Sequence, residues 1–172
     1  KLLCPLLNMT KKINILLLTM LGIGKSKYAP GTAASFITCC IFIFFFNYKT
    51  DIYILILSVI IIFIYSVYAI DLFKKYFTEI DAKEIVIDEF IGQSIPILTI
   101  YNFVQKNNVG DFILYTFISF IFFRIFDIVK PFPINKIDQN MKNGFGVILD
   151  DIIAGIYSSI VLFVVILSIN YV

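Results

Sequence analysis

From Ile52 to Ile70 the chain carries no charged side chain. At 1.5 Å of rise per residue, these roughly 19 positions make a helix close to the ~30 Å thickness of a bilayer's hydrocarbon core. A chain with such a run folds around membrane-spanning helices. The composition agrees. Hydrophobic residues make up 60% of the sequence and the mean hydropathy is +0.94, against roughly 45–50% apolar residues in an ordinary soluble domain. The length of 172 residues fits one domain. The expectation is an all-α integral membrane helical bundle over residues 1–172, with about five spanning helices and short surface helices beside them.

Four more apolar runs supply the other spans: Ala33–Phe46, Asp88–Val104, Phe112–Phe126 and Ile152–Val172. Ile15–Gly24 has about half the length a span needs, so it is expected to lie on or dip into the surface, and residues 1–21 are expected to form a poorly defined N-terminal segment. Asp71–Glu84 mixes both charges and reads as an amphipathic surface helix ending near Thr78. Pro131 and Pro133 end the fourth span, since proline cannot continue a helix interior. After Ala29-Pro30-Gly31, Thr32 reads as the N-cap of the first span.

Several chemistries are excluded. The chain has no His, which removes HExxH zinc sites, Ser-His-Asp triads and phosphohistidine intermediates. Its cysteines, Cys4, Cys39 and Cys40, have no CxxC spacing, so neither a disulfide framework nor a structural zinc site is indicated. Gly24-Lys25-Ser26 is not a phosphate-binding P-loop, because Thr19 stands where that motif needs its first Gly.

Threading five spans places Lys1, Lys11, Lys12, Lys25, Lys27, Lys74, Lys75, Lys83, Arg124, Lys130, Lys136 and Lys142 on one side, and Lys49 and Lys106 on the other. By the positive-inside rule the first side faces the cytoplasm, which for a bacterial protein means the inner membrane. Four polar clusters fall on that side. Asp88-Glu89 and Asp150-Asp151 open the third and fifth spans, Arg124, Asp127 and Lys130 close the fourth, and Gly31-Thr32 opens the first. Carboxylates beside hydrocarbon are costly and mark function by default. The ordinary alternatives are helix N-caps or dipole partners for Asp88, Asp150 and Asp151, and an intrahelical i,i+3 ion pair for Arg124 and Asp127. Adjacent acids diverge by about 100° on a helix, so rather than chelate an ion alone each can offer one oxygen to a site completed by other segments. Mg²⁺ takes oxygen ligands, commonly one or two carboxylates together with substrate phosphate. Arg124 and Lys130 are suited to phosphate, and the Gly31-Thr32 helix start offers backbone N–H groups to an anion.

Together the clusters resemble the phosphatidylglycerophosphatase A family. The likeness is carried by Gly22-Ile-Gly-Lys-Ser-Lys-Tyr-Ala-Pro-Gly-Thr-Ala-Ala-Ser35, Ile85-Val-Ile-Asp-Glu-Phe-Ile-Gly92, Phe123-Arg-Ile-Phe-Asp-Ile-Val-Lys-Pro-Phe-Pro-Ile134 and Gly144-Phe-Gly-Val-Ile-Leu-Asp-Asp-Ile-Ile-Ala-Gly155. Ala34 stands where the family usually has Gly. The resemblance implies a Mg²⁺-dependent membrane enzyme that removes the terminal phosphate of phosphatidylglycerophosphate to give phosphatidylglycerol. On that footing Asp88, Glu89, Asp127, Asp150 and Asp151 are expected to supply metal ligands and a general base, and Gly31, Thr32, Arg124 and Lys130 to bind substrate. The partners are then a phospholipid and the membrane, with no nucleic acid. An ion-coupled carrier fits less well, since the acids sit at one face and no inverted repeat is visible. A non-catalytic membrane scaffold would explain the spans but not the collected acids and cations.

Overall fold

The computed structural model describes residues 3–73, 83–104 and 108–170, and all regular elements among them are helical. In order they are α1 (Leu3–Leu18), a single 3-10 turn (Ile23–Lys25), α2 (Pro30–Asn47), α3 (Ile52–Phe73), α4 (Ile87–Tyr101), α5 (Val109–Val129), α6 (Ile134–Asn140) and α7 (Gly144–Asn170). Among the described residues, four helices are long and apolar enough to cross a membrane: α2, α3, α5 and, over Gly144–Ser168, α7. Their outward faces carry bare hydrocarbon, with Ile54, Leu57, Ile61, Phe117 and Ile160 all exposed. This is the pattern of helices solvated by lipid.

The fifth expected span, α4, is only 15 residues long, about 22 Å at 1.5 Å per residue. It is the helix the others surround, packing against α2, α3, α5 and most extensively α7. Ten of its residues are buried, Ile91, Ile97 and Ile100 among them. Val86 N–H, just before α4, donates to Leu18 O at 3.1 Å. At the far end the Tyr101 hydroxyl donates to Thr50 O, in the α2–α3 loop, at 3.0 Å. There Phe46 and Phe112 stack at 3.9 Å with Tyr101 edge-on to both. Further along, Gln93 Nε2 donates to Ser119 Oγ at 3.1 Å and Ser158 Oγ donates to Ser119 O at 3.1 Å. These bonds tie α4, α5 and α7 in a region where water offers no competition.

Several boundaries differ from expectation for local reasons. α2 starts at Pro30, since proline at the first helical position sacrifices no hydrogen bond. Thr32 therefore lies inside the helix, and Ala29 is the cap, in the left-handed region at φ 41°. α5 starts at Val109, where Asn108 Oδ1 accepts from Asp111 N–H at 3.2 Å. α7 starts two turns before Ile152. Asn143 Oδ1 accepts from Gly146 N–H at 2.8 Å and Asp71 Oδ1 accepts from Gly144 N–H at 3.0 Å, so two side chains from outside α7 satisfy its first turn. Asp150 and Asp151 are thus inside α7 and cap nothing. α1 ends at Leu18, ahead of the Gly22–Gly24 turn, and lies against α3, where the Tyr65 hydroxyl donates to the Asn14 side chain. The expected surface helix over Asp71–Thr78 resolves only in part. Asp71–Phe73 extends α3, and the remainder, like Lys1 and Lys106, lies outside the described residues. The connection after Pro133 forms the short helix α6.

Candidate active site

Three carboxylates from two helices meet where α4 begins. Asp88 and Glu89 occupy the first turn of α4, where the helix dipole favours acids, and Asp151 comes from α7. One oxygen from each lies within 4.8 Å of the other two. Asp88 and Asp151 are buried. Glycine makes this approach possible. A Cβ on Gly92 would fall 2.7 Å from Asp151 O and 2.9 Å from Asp151 Cβ, and one on Gly155 would fall 2.4 Å from Gly92 O. Pro96, one turn after Gly92, has no N–H to give the Gly92 carbonyl, and that carbonyl is the group lying over Gly155. Asp88 and Asp151 stand four residues ahead of Gly92 and Gly155 respectively. The turn that brings the backbones together therefore sets the two acids side by side.

Cations border the acids. Arg124 Nη1 lies 2.6 Å from Asp127 Oδ2, one turn along α5. It is a close charge contact without an aligned hydrogen bond, because Arg124 Nη1 and Nε and the neighbouring Glu89 Oε2 are all buried with no hydrogen-bond partner among the described residues. The first turn of α2 is pressed against this group. A Cβ on Gly31 would sit 2.0 Å from Glu89 Oε1 and 3.3 Å from Arg124 Nη1. Lys130 ends α5 in the left-handed region at φ 45°, and its Nζ reaches Asp150 Oδ2 at 2.8 Å and Asp138 Oδ1 at 2.9 Å. Burial disfavours the Lys130 charge, but its hydrogen bonds and charge attraction to Asp150 and Asp138 prevail and hold its pKa above the ordinary lysine value.

All nine residues singled out in the sequence line one cavity of about 370 Å³: Gly31, Thr32, Asp88, Glu89, Arg124, Asp127, Lys130, Asp150 and Asp151. The size is that of a small-molecule site. Within it the five acids divide. Asp88, Glu89 and Asp151 group their oxygens, while Asp127 and Asp150 each face a cation. An oxygen-only donor set with one buried oxygen unpartnered suits a hard divalent cation. Sequence reasoning missed Lys83, which lines the mouth, and Asp138, which shares Lys130 with Asp150. Each looked like one more charge in a solvated connection, and only the path of the backbone brings them to the cavity.

Comparison with known proteins places the chain in a family. The family model described as phosphatidylglycerophosphatase A matches residues 16–166. A Bacteroides thetaiotaomicron protein, provisionally named phosphatidylinositol-3-phosphatase, is 34% identical over 151 residues, covering 86% of this chain and 90% of the relative. Proteins named phosphatidylglycerophosphatase A from Haemophilus influenzae and Escherichia coli are 39% and 36% identical over 85 and 83 residues. These two matches cover 49% and 48% of this chain and 47% and 44% of the relatives. No solved structure matches the chain at a significant level. The match across nearly the whole helical bundle, with the acids and cations of the cavity inside it, makes the chain a member of the phosphatidylglycerophosphatase A family of membrane phosphatases.

Proposed function

We propose that the chain hydrolyses the terminal phosphomonoester of phosphatidylglycerophosphate in a Mg²⁺-dependent reaction at the cytoplasmic face of the inner membrane. The observation that carries this reading is the three-acid group of Asp88, Glu89 and Asp151 in one cavity with Arg124 and Lys130. Carboxylates alone repel a phosphate dianion, whereas carboxylates that hold a divalent cation attract it. Mg²⁺ held by these three acids would neutralise charge on the phosphoryl oxygens and lower the pKa of a bound water. Arg124 has N–H donors without partners among the described residues, and it takes the phosphoryl oxygens as a planar fork. Lys130, fixed by two acids, adds positive charge beside them. Gly31 and Thr32, in the first turn of α2, line the same cavity, and a helix start offers N–H groups to an anion.

In the reaction a water oxygen bonds to phosphorus as the bond from phosphorus to the glycerol oxygen breaks, and the proton balance is completed on the leaving oxygen. We assign the water's proton to Asp127, which lines the cavity outside the three-acid group. The distribution of charge supports the proposed orientation. Lys25, Lys27, Lys83, Lys136 and Lys142 lie on the segments at the cavity end of the bundle, with Lys49 in the loop at the other end, so the cavity faces the cytoplasm.

The name of the Bacteroides relative supports a second substrate, phosphatidylinositol 3-phosphate. The two lipids share one piece of chemistry. Each carries a phosphodiester and a phosphomonoester on carbons separated by a single carbon, in glycerol or in the inositol ring. The test is phosphate release by purified protein in detergent from each lipid, with Mg²⁺ and with EDTA. The expected result is release from phosphatidylglycerophosphate that EDTA abolishes and added Mg²⁺ restores. Release that persists in EDTA would remove the metal from the reading, and release from the inositol lipid alone would replace the substrate.

A further inference from the structure

The cavity holds one cation that the reaction at the phosphomonoester leaves unused. Three basic residues line it: Lys83, Arg124 and Lys130. Arg124 is paired with Asp127, and Lys130 with Asp138 and Asp150. Among the described residues Lys83 makes no ion pair, although five acids line the same cavity. It is exposed at the mouth, five positions ahead of Asp88. Its backbone is anchored by the residues that follow. Ile85 and Val86 are buried, Val86 N–H is bonded to Leu18 O, and Glu84 O occupies the space that a Cβ on Gly24 would need, 1.9 Å away. A lysine whose stem leaves a fixed backbone, at the open end of a site whose inner cations serve the phosphomonoester, can receive a second anion.

Resting on the function proposed above, we infer that Lys83 binds the phosphodiester of the substrate while the phosphomonoester occupies the inner site, so that the cavity selects headgroups bearing a phosphodiester and a phosphomonoester one carbon apart. Both lipids named above satisfy this requirement. Phosphatidic acid has a phosphomonoester and no second phosphate, and it gains nothing from Lys83. The lysine is a specificity residue that touches substrate away from the reacting bond, so its loss weakens binding and leaves the chemical step intact.

The experiment measures kcat and KM of wild-type protein, Lys83→Gln and Lys83→Arg in mixed micelles. The substrates are phosphatidylglycerophosphate, phosphatidylinositol 3-phosphate and phosphatidic acid. Lys83→Gln is expected to raise KM for whichever bisphosphorylated lipid the wild type accepts by about tenfold, the weight of one charge-assisted hydrogen bond at a solvent-open position. Its kcat on that lipid, and its kinetics on phosphatidic acid, should stay within about twofold. Lys83→Arg should recover most of the lost binding. A Lys83→Gln protein that matches wild type on every lipid, or that loses the same factor on phosphatidic acid, overturns the assignment while leaving the phosphatase reading standing. Wild-type protein that releases phosphate from none of the three overturns that reading and the role of Lys83 with it.

Discussion

At the scale of single residues, the cavity is assembled from groups that would each be costly alone. Asp88 and Asp151 are buried carboxylates, Arg124 keeps two buried nitrogens without hydrogen-bond partners among the described residues, and Ala29 and Lys130 hold left-handed backbone without being glycine. Strain of that last kind costs about 1–3 kcal/mol per residue and gathers at sites that use the geometry. Here both residues border the cavity, one starting α2 and one ending α5. Asp88→Asn and Asp151→Asn should each lower kcat by about 10³-fold or more, with the protein still inserting and purifying as the wild type does. Near-normal phosphate release by purified Asp88→Asn would take that residue out of the mechanism. Arg124→Lys keeps the charge but loses the fork, and a drop of about 10–100-fold in kcat/KM is expected. That the acids and Arg124 gather at one end of the bundle was legible in the sequence, because all of them stand at the same-side ends of apolar runs. Their division of labour was not. That Asp127 and Asp150 face cations while Glu89 joins Asp88 and Asp151 depends on helix rotation, which one-dimensional spacing leaves open.

At the scale of helices, the site depends on how closely α4 and α7 approach. Gly92 and Gly155 are the contact points, and Pro96 frees the carbonyl that fills the gap between them. Gly92→Ala and Gly155→Ala introduce overpacking of the sort that costs about 1–3 kcal/mol. Each should lower the thermal midpoint in detergent and raise the Mg²⁺ concentration for half-maximal activity, since Asp88 and Asp151 are pushed apart. A substituted protein with an unchanged Mg²⁺ requirement would separate the glycine contact from the acid group. The long apolar helices could be read directly from runs of Ile, Leu and Phe, because the bilayer demands them. Their starts were misread where the signal lies outside the run. Asn143 and Asp71 satisfy the first turn of α7 from neighbouring segments, and Pro30 opens α2 two residues ahead of the Thr32 that had looked like its cap. α4 was harder still, because a buried helix can be shorter than a lipid-facing one and interrupted by Gly and Pro when protein surrounds it.

At the scale of the whole molecule, orientation is the property that the charge distribution controls. With Cys4, Cys39 and Cys40 replaced by Ser, a cysteine at Ser26 should react with a membrane-impermeant thiol reagent only after the cytoplasmic side is opened, and one at Tyr48 should react in intact cells. Labelling of both from the same side would refute the arrangement of helices and orientation together. α4 is held at one end through Val86 and Leu18 and at the other through Tyr101 and Thr50. Bonds at both tips oppose an axial shift of this helix, so the two acids of its first turn keep their depth at one edge of the bundle.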